Sequence, residues 1–440
     1  MLIGMQPAHH HTHPSKGDNN MANAYDRIIG YETIKTELMQ ISDMVRNPEV
    51  YRKIGAKLPK GILLYGRPGL GKSLMAKCFI EDCGLKTYTL RRNKSSEDFV
   101  DEITKAFRDA GRCAPAIIFL DDMDKFANED EDHRDAEEYV AIQAGIDEVK
   151  DKEVLVFATA NDIRKMPPSL KRAGRFDRKI EVDVPSEEDA HSIIKHYLSE
   201  KSFSDDVNTE DLANMISYSS CAELETIINE AAIYAAYDCK DKVEMEHAVK
   251  AVLMMKYKVP ADYNKTPGAE DRKTAAHEAG HLVVAEMMKP GSVGLVSIRV
   301  TGDEDREGFI HVCKEINGEA DILVSLAGKA ASEMLYPNEC AKGCTEDLDR
   351  AAERIRDYIS RDAGAGFGMY DISNGEFSKM TENFISRNEA VVHAELERYM
   401  RLTRGLLYKN RAFLEKAIDE LMSKGTLLYS DIRRIRESCG

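Results

Sequence analysis

His277-Glu278-Ala279-Gly280-His281 sets two imidazoles four positions apart, with a carboxylate beside the first. On a helix this spacing stands both rings on one face, so two ring nitrogens can share one Zn2+. Glu278 is then within reach of a water on that metal and can take its proton. Two core histidines on an ordinary helix are the plainer reading of the same residues, and a second motif upstream weighs against it. Gly66-Arg67-Pro68-Gly69-Leu70-Gly71-Lys72-Ser73 has the pattern of a phosphate-binding loop. In such a loop, backbone N–H groups wrap the phosphates of ATP, Lys72 reaches the outer oxygens and Ser73 ligates Mg2+.

The elements needed to hold these groups are legible around them. Lys273-Thr274-Ala275-Ala276 and Leu282-Val283-Val284-Ala285-Glu286-Met287-Met288 flank the histidines with good helix formers, and no proline follows until Pro290. The glycine-rich loop follows the apolar run Gly61-Ile62-Leu63-Leu64-Tyr65 and opens into Ser73-Leu74-Met75-Ala76, the strand, loop and helix order the motif requires. A second apolar strand, Ala116-Ile117-Ile118-Phe119-Leu120, ends in Asp121-Asp122. One carboxylate there holds Mg2+ and the next orients the attacking water. A third strand, residues 154–158, leads to Asn161, whose amide suits a water or γ-phosphate at the carboxyl end of a sheet. Arg175 and Arg178 suggest charge stabilisation delivered across a subunit boundary, with solvated surface arginines as the alternative.

A chain of 440 residues exceeds one ordinary core and is expected to form two or three domains. Its net charge of −16 argues against a broad basic face, so no nucleic-acid partner is expected. The longest apolar runs are strand-sized, far short of the ~20 residues a bilayer demands, so no membrane insertion is expected. Nine cysteines, an odd number without framework spacing, read as reduced thiols of a cytoplasmic protein. Cys340 and Cys344 are the one close pair, a weak candidate for a metal or redox site. Residues 1–22 lack the apolar core of a signal peptide and read as a disordered leader.

From Tyr25-Asp26-Arg27-Ile28-Ile29-Gly30, through Asn47-Pro48-Glu49-Val50-Tyr51-Arg52-Lys53-Ile54-Gly55-Ala56, to the C-terminal helices, the chain resembles the AAA+ ATPases. With the histidine motif it is similar to the FtsH family of ATP-dependent zinc metalloproteases. The resemblance implies an α/β P-loop AAA+ domain over residues 23–185 and a helical lid over 186–257. A linker over 258–270 and a mainly α-helical zinc-metalloprotease domain over 271–440 complete the expected order. ATP, Mg2+ and Zn2+ are the implied cofactors, and protein substrates and a homo-hexameric ring the implied partners. By the same resemblance Asn161 is the first sensor, and Arg175 and Arg178 are arginine fingers. Ile29, Gly30 and Leu74 contact nucleotide, and Ala222 lies near the adenine. After a β segment at Val296-Ser297-Ile298-Arg299-Val300, the segment Gly308-Phe309-Ile310-His311-Val312 is implied to be an edge strand that pairs with substrate backbone.

A catalytic zinc takes three protein ligands and keeps one position open. Composition leaves Glu346, Asp347 and Asp349 equivalent, and acidic residues at a helix start with Thr345 as cap are the plainer account of that segment. The resemblance of Lys342-Gly343-Cys344-Thr345-Glu346-Asp347-Leu348-Asp349 to the family's third-ligand helix selects Asp347, and leaves His311 an ordinary strand histidine.

Four features depart from the family. Asp122 stands where the family has a glutamate, one methylene longer. The segment Thr89-Leu90-Arg91-Arg92-Asn93-Lys94-Ser95-Ser96-Glu97-Asp98 offers no pore-loop aromatic, and Phe99 reads as a packed helix position. No amino-terminal anchor is read, and Cys221 replaces the glycine before Ala222. The leading expectation is an ATP-dependent zinc metalloendopeptidase. A zinc peptidase with weak or structural ATP binding, and a non-proteolytic AAA+ chaperone, are the alternatives.

Overall fold

A computed structural model describes residues 23–92, 95–126, 136–259, 267–268, 271–299, 308–337, 344–360 and 382–439. The expected leader, Cys340 and most of the expected linker lie outside them.

Two compact units form: residues up to Gly66 together with Gly71–Val182, and Arg67–Leu70 together with Asp183 onward. The first unit runs α1 (Glu32–Arg46), α2 (Pro48–Lys53), β1 (Gly61–Tyr65), α3 (Lys72–Cys83), β2 (Lys86–Leu90), α4 (Ser96–Arg112), β3 (Ala116–Leu120), α5 (Ala136–Val149), β4 (Val154–Ala160) and β5 (Arg178–Glu181). Its sheet is parallel, in the order β2-β3-β4-β1-β5. Helices cover both faces of such a sheet, which is why β3 and β4 are buried end to end and read as unbroken apolar runs. Phe99 is fully buried on α4, edge-on to Phe126 at 5.1 Å, as its sequence context suggests.

In the second unit α6 (Glu187–Ser199), α7 (Thr209–Met215), α8 (Cys221–Tyr237) and α9 (Met245–Lys256) come first. Ser186, Asn208 and Ser220 cap the first three of these, each side chain accepting from a first-turn backbone N–H. Then follow α10 (Asp271–Met288), β6 (Val293–Ser297), β7 (Phe309–Val312), α11 (Glu319–Leu335), α12 (Thr345–Ser360), α13 (Glu382–Lys409), α14 (Arg411–Lys424), β8 (Thr426–Leu428) and α15 (Tyr429–Glu437). An antiparallel sheet in the order β7-β6-β8 lies beside the helices. The core joins Ala276, Leu282 and Val283 of α10 to Leu326 and Ala330 of α11 and Leu414 and Ile418 of α14.

Three details correct the sequence reading. β6 begins at Val293 rather than 296, because Gly291 at φ 72° turns the chain straight out of α10. Buried Glu286 fixes that turn, accepting from the N–H groups of Gly291 (2.9 Å) and Val293 (3.0 Å). Apolar residues at helical spacing from Leu427 to Arg436 read as one closing helix, but Leu427 belongs to β8, since Gly425 at φ 75° ends α14 and lets three residues pair with β6. Thr345 is the first helical residue of α12; Leu348 N–H bonds back to the Cys344 carbonyl at 3.1 Å, so the cap position is Cys344.

Lid and protease regions pack directly within the second unit. Gly294 of β6 lies so close to the Asn214 carbonyl of α7 that no Cβ fits between them. Buried Asp211 accepts from Ser430 N–H (2.8 Å) and Oγ (2.7 Å) on α15. His311 Nε2 lies 2.8 Å from Ser217 Oγ, and Tyr257 stacks on Phe309 at 4.3 Å. Among the described residues, no helix is long and apolar enough to cross a membrane.

Burial, and next the nearby Lys256 ammonium, push the His311 ring down to about 3. The unfolded chain therefore binds a proton between pH 6.5 and 3 that the folded chain refuses, so the stability this neutral ring supports is complete above pH 6.5 and lost as pH falls. Chemical denaturation at pH 7 and pH 4.5 should show a smaller acid loss in His311→Gln than in the wild type; equal losses would contradict the assignment.

Candidate metal centre and nucleotide site

α10 carries His277 and His281 on one face, and the first turn of α12 brings Asp347 against them. His277 Nε2 and His281 Nε2 lie 3.1 Å apart. Asp347 Oδ2 lies 3.1 Å from the first and 3.2 Å from the second. Ligands at ~2.05 Å around a tetrahedral zinc stand about 3.3 Å from one another, so this donor set has the size and chemistry of a zinc site. The outer contacts agree. His281 Nδ1 donates to the Val324 carbonyl at 2.7 Å, the tautomer that leaves the Nε2 lone pair facing the other two donors. His277 Nδ1 lies 3.8 Å from Cys344 Sγ. Glu278 is buried beside them, 6% exposed.

Burial disfavours the charged His277 ring, but the hydrogen bond it donates to Asp347, followed by its contact with Cys344, raises it to about 9. Burial also penalises the Asp347 carboxylate, and the two imidazoles overcome this and hold it well below the usual carboxylate range.

Two glycines missed by the sequence reading make the room. A Cβ on Gly280 would stand 2.5 Å from the Ala327 carbonyl oxygen and 2.6 Å from Ala331 Cβ, so α10 and α11 approach as only glycine permits. A Cβ on Gly328 would stand 2.4 Å from His281 Nε2 and 2.5 Å from His277 Nε2, against two of the three donor atoms. Helix propensity disfavours both glycines, and that unexplained cost was the only signal for them in the sequence. Another His and carboxylate group, Glu244, Glu246 and His247, does not suit a metal. His247 Nδ1 accepts from Glu244 N–H at 3.0 Å, which puts the proton on Nε2, the atom that faces Asp238 and Glu246.

The nucleotide residues of the first unit converge at the carboxyl ends of β1, β3 and β4, where open parallel sheets bind ligands. Lys72 Nζ donates to the Gly66 carbonyl (2.7 Å) and to Asn161 Oδ1 (2.9 Å). Burial lowers the Lys72 ammonium, opposed by Asp122, Asp124 and Asp121. Asp121 Oδ1 accepts from Ser73 Oγ (2.9 Å) and from Thr159 Oγ1 (2.8 Å), so the pair suited to Mg2+ is preassembled. Thr159 also accepts from Asp122 N–H at 2.9 Å, and the sequence reading passed over it. Asp122 sits in the left-handed region at φ 56°, and its Oδ2 accepts from Lys125 Nζ at 2.8 Å with Arg91 at 3.5 Å. Burial would raise its carboxyl, but Lys125, then Arg91 and Asn161, hold it below the usual range.

Ile29 and half-buried Gly30, at φ 73°, form the turn before α1. Arg67, Pro68, Gly69 and Leu74 are exposed and Leu70 is buried. Gly71, at φ 84°, leads into α3. Ala222 N–H donates to the Gly69 carbonyl at 3.0 Å. Within one chain both arginines have partners: Arg175 pairs with Asp147 at 3.0 Å and Ser169 O at 2.8 Å, and Arg178 pairs with Glu37 at 2.7 Å.

This sheet and loop, followed by helices that gather His277, His281 and Asp347, define an AAA-type ATPase domain joined to a zinc-motif protease region. The family model for the ATPase family associated with various cellular activities (AAA) matches residues 62–184. The ATP-dependent zinc metalloprotease FtsH of Lachnoclostridium phytofermentans is 30% identical over 442 residues, covering 93% of this chain and 74% of that protein. FtsH of Leptotrichia buccalis is 29% identical, covering 93% of this chain but 56% of the relative, and FtsH 2 of Symbiobacterium thermophilum is 29% identical, covering 93% and 73%. The chain belongs to the FtsH family of ATP-dependent zinc metalloproteases, and spans little more than half of some relatives and about three quarters of others.

Gly328→Ala places a methyl group against the Nε2 atoms of His277 and His281. Zinc affinity, read by chelator competition, should fall about 10- to 100-fold with helix content unchanged; wild-type affinity would show that the triangle does not hold the metal.

Proposed function

We propose that the chain is an ATP-dependent zinc metalloendopeptidase that degrades protein substrates, working as a homo-hexameric ring in the cytoplasm. The observation that carries this reading is the set of three donor atoms within 3.2 Å of one another, beside buried Glu278. His277, His281 and Asp347 would hold the metal and leave its fourth side to water and substrate. Bound zinc supplies Lewis acidity, acidifying a water and polarising the scissile carbonyl. Glu278 accepts the proton from the attacking water and returns it to the leaving amide nitrogen, and its burial excludes competing solvent. Edge strand β7 offers backbone groups to an extended substrate, a mode of binding tolerant of sequence.

In the first unit Lys72 would hold phosphate charge, Ser73 and Asp121 would hold Mg2+, and Asp122 and Asn161 would orient the hydrolytic water. By family resemblance Ile29 and Gly30 are assigned to the nucleotide and Ala222 to the neighbourhood of its adenine. Arg175 and Arg178 would act on a neighbouring subunit's nucleotide, leaving their intrachain partners to do so. Among the described residues no disulfide joins any of the eight cysteines, which accords with a reducing compartment.

One observation favours a second reading, a peptidase with a slow motor: the Asp122 carboxylate is engaged by Lys125 and Arg91 and set back by its shorter side chain. Asp122→Glu should raise ATP turnover by about tenfold, and an unchanged rate would show that side-chain reach does not limit hydrolysis.

Casein degradation with and without ATP tests the main proposal. Glu278→Gln should lose at least about a hundredfold in cleavage while keeping its zinc. Lys72→Ala should lose only the ATP-stimulated part. Cleavage indifferent to ATP in the wild type would favour the second reading, and casein left intact by wild type at full zinc occupancy would overturn proteolysis.

A further inference from the structure

We infer that nucleotide state reaches the peptidase through the lid's hold on β7, with Tyr257 and His311 as the positioning residues of that strand. On the proteolytic reading above, β7 is the strand that pairs with substrate backbone. Among the described residues it is bonded to β6 alone and forms the edge of its sheet. Alternate residues of a strand face opposite ways. Ile310 packs on the protease core, while Phe309 and His311 turn to the lid. There Phe309 stacks on Tyr257 with ring planes 23° apart, and His311 lies 2.8 Å from Ser217 Oγ, with its ring edge-on to Tyr257 at 6.0 Å. Gly308, just before the strand, is so close to the base that a Cβ there would stand 2.8 Å from Glu278 Cγ. The seat of β7 therefore sets how near a paired substrate runs to Glu278.

A short run of contacts leads from this seat to the phosphate loop, all within the second unit. Tyr257 follows directly on Lys256, whose Nζ donates to the Ser217 carbonyl (3.0 Å) and to Ser219 Oγ (3.3 Å). Ser220, the next residue, caps α8, and Ala222 N–H donates to the Gly69 carbonyl at 3.0 Å. A Cβ on Gly69 would stand 3.0 Å from both Ser220 Oγ and Ala222 Cβ. Residues 217–222 are thus held by the loop crown at one end and by Lys256 and His311 at the other. When phosphate binding moves the crown, this segment tilts, Tyr257 follows, and Phe309 and His311 carry β7 with them. Packed side chains with discrete seats transmit such shifts.

The test uses the full chain with a quenched fluorescent peptide and a non-hydrolysable ATP analogue. In Tyr257→Ala, KM for the peptide should rise about 3- to 10-fold with kcat nearly unchanged, and nucleotide stimulation should disappear. Zinc content and ATP turnover should remain, and Tyr257→Phe should behave as wild type. Independently of cleavage, amide exchange across 309–312 should slow when nucleotide binds the wild type and should not respond in Tyr257→Ala or His311→Ala. Wild-type KM with nucleotide-sensitive exchange in Tyr257→Ala would overturn the route. So would a parallel loss of kcat, zinc and thermal midpoint, the mark of a merely structural residue. If wild type and Glu278→Gln cleave equally, the proteolytic reading fails, and the exchange measurement still decides the route.

Discussion

The close approach of α10 to α11 is the constraint on which the protease region rests. Gly280 lets the two helices meet backbone to side chain, and Gly328 leaves the space in which two imidazoles and one carboxylate converge. Side chains at either position would push the helices apart and move His277 and His281 away from Asp347, which arrives on a third helix. Val324, four residues before Gly328 on the same helix, fixes the His281 tautomer through its carbonyl. One helix pairing therefore supplies the geometry and the outer support of the donor set.

The two chemistries of the chain are prepared to different degrees. At the metal centre, donors already stand at ligand spacing, and the two rings hold the Asp347 carboxylate charged against the penalty of burial. In the nucleotide site, Ser73 and Asp121 are equally well arranged, whereas Lys72 and Asp122 are engaged with protein groups that phosphate and water must displace. A carboxylate paired with two cations is a weaker base, and releasing it costs part of the energy of nucleotide binding. On the proposed reading, proteolysis is the more fully assembled function, and a dependence on ATP would pass through contacts that rearrange. The lid is placed to carry that dependence, because Asn214 of α7 lies against Gly294 of β6 with no room for a Cβ between them.

Much of this was legible in residue order. Unbroken apolar runs at Ile62, Ile117 and Leu155 become parallel strands, since a sheet covered on both faces has no polar side to alternate with. Asp121, Asp122 and Asn161 gather because each follows the end of such a strand, and Lys72 and Ser73 join them at the start of α3, where the loop after β1 ends. Short β segments were less readable: β8 has three residues, too few for a period, and only its pairing with β6 makes it a strand.

The sequence by itself determined the chemistry: two histidines at helical spacing with a carboxylate between, and a glycine-rich loop ahead of a lysine and a serine. These are local patterns whose geometry follows from the period of one helix or the turn of one loop. Only the tertiary structure decided how Asp347, which the resemblance already singles out, reaches the two histidines, why glycine stands at 280 and 328, and what holds Asp122 and β7. Each of those answers depends on distances between segments far apart in the chain, which no local periodicity encodes.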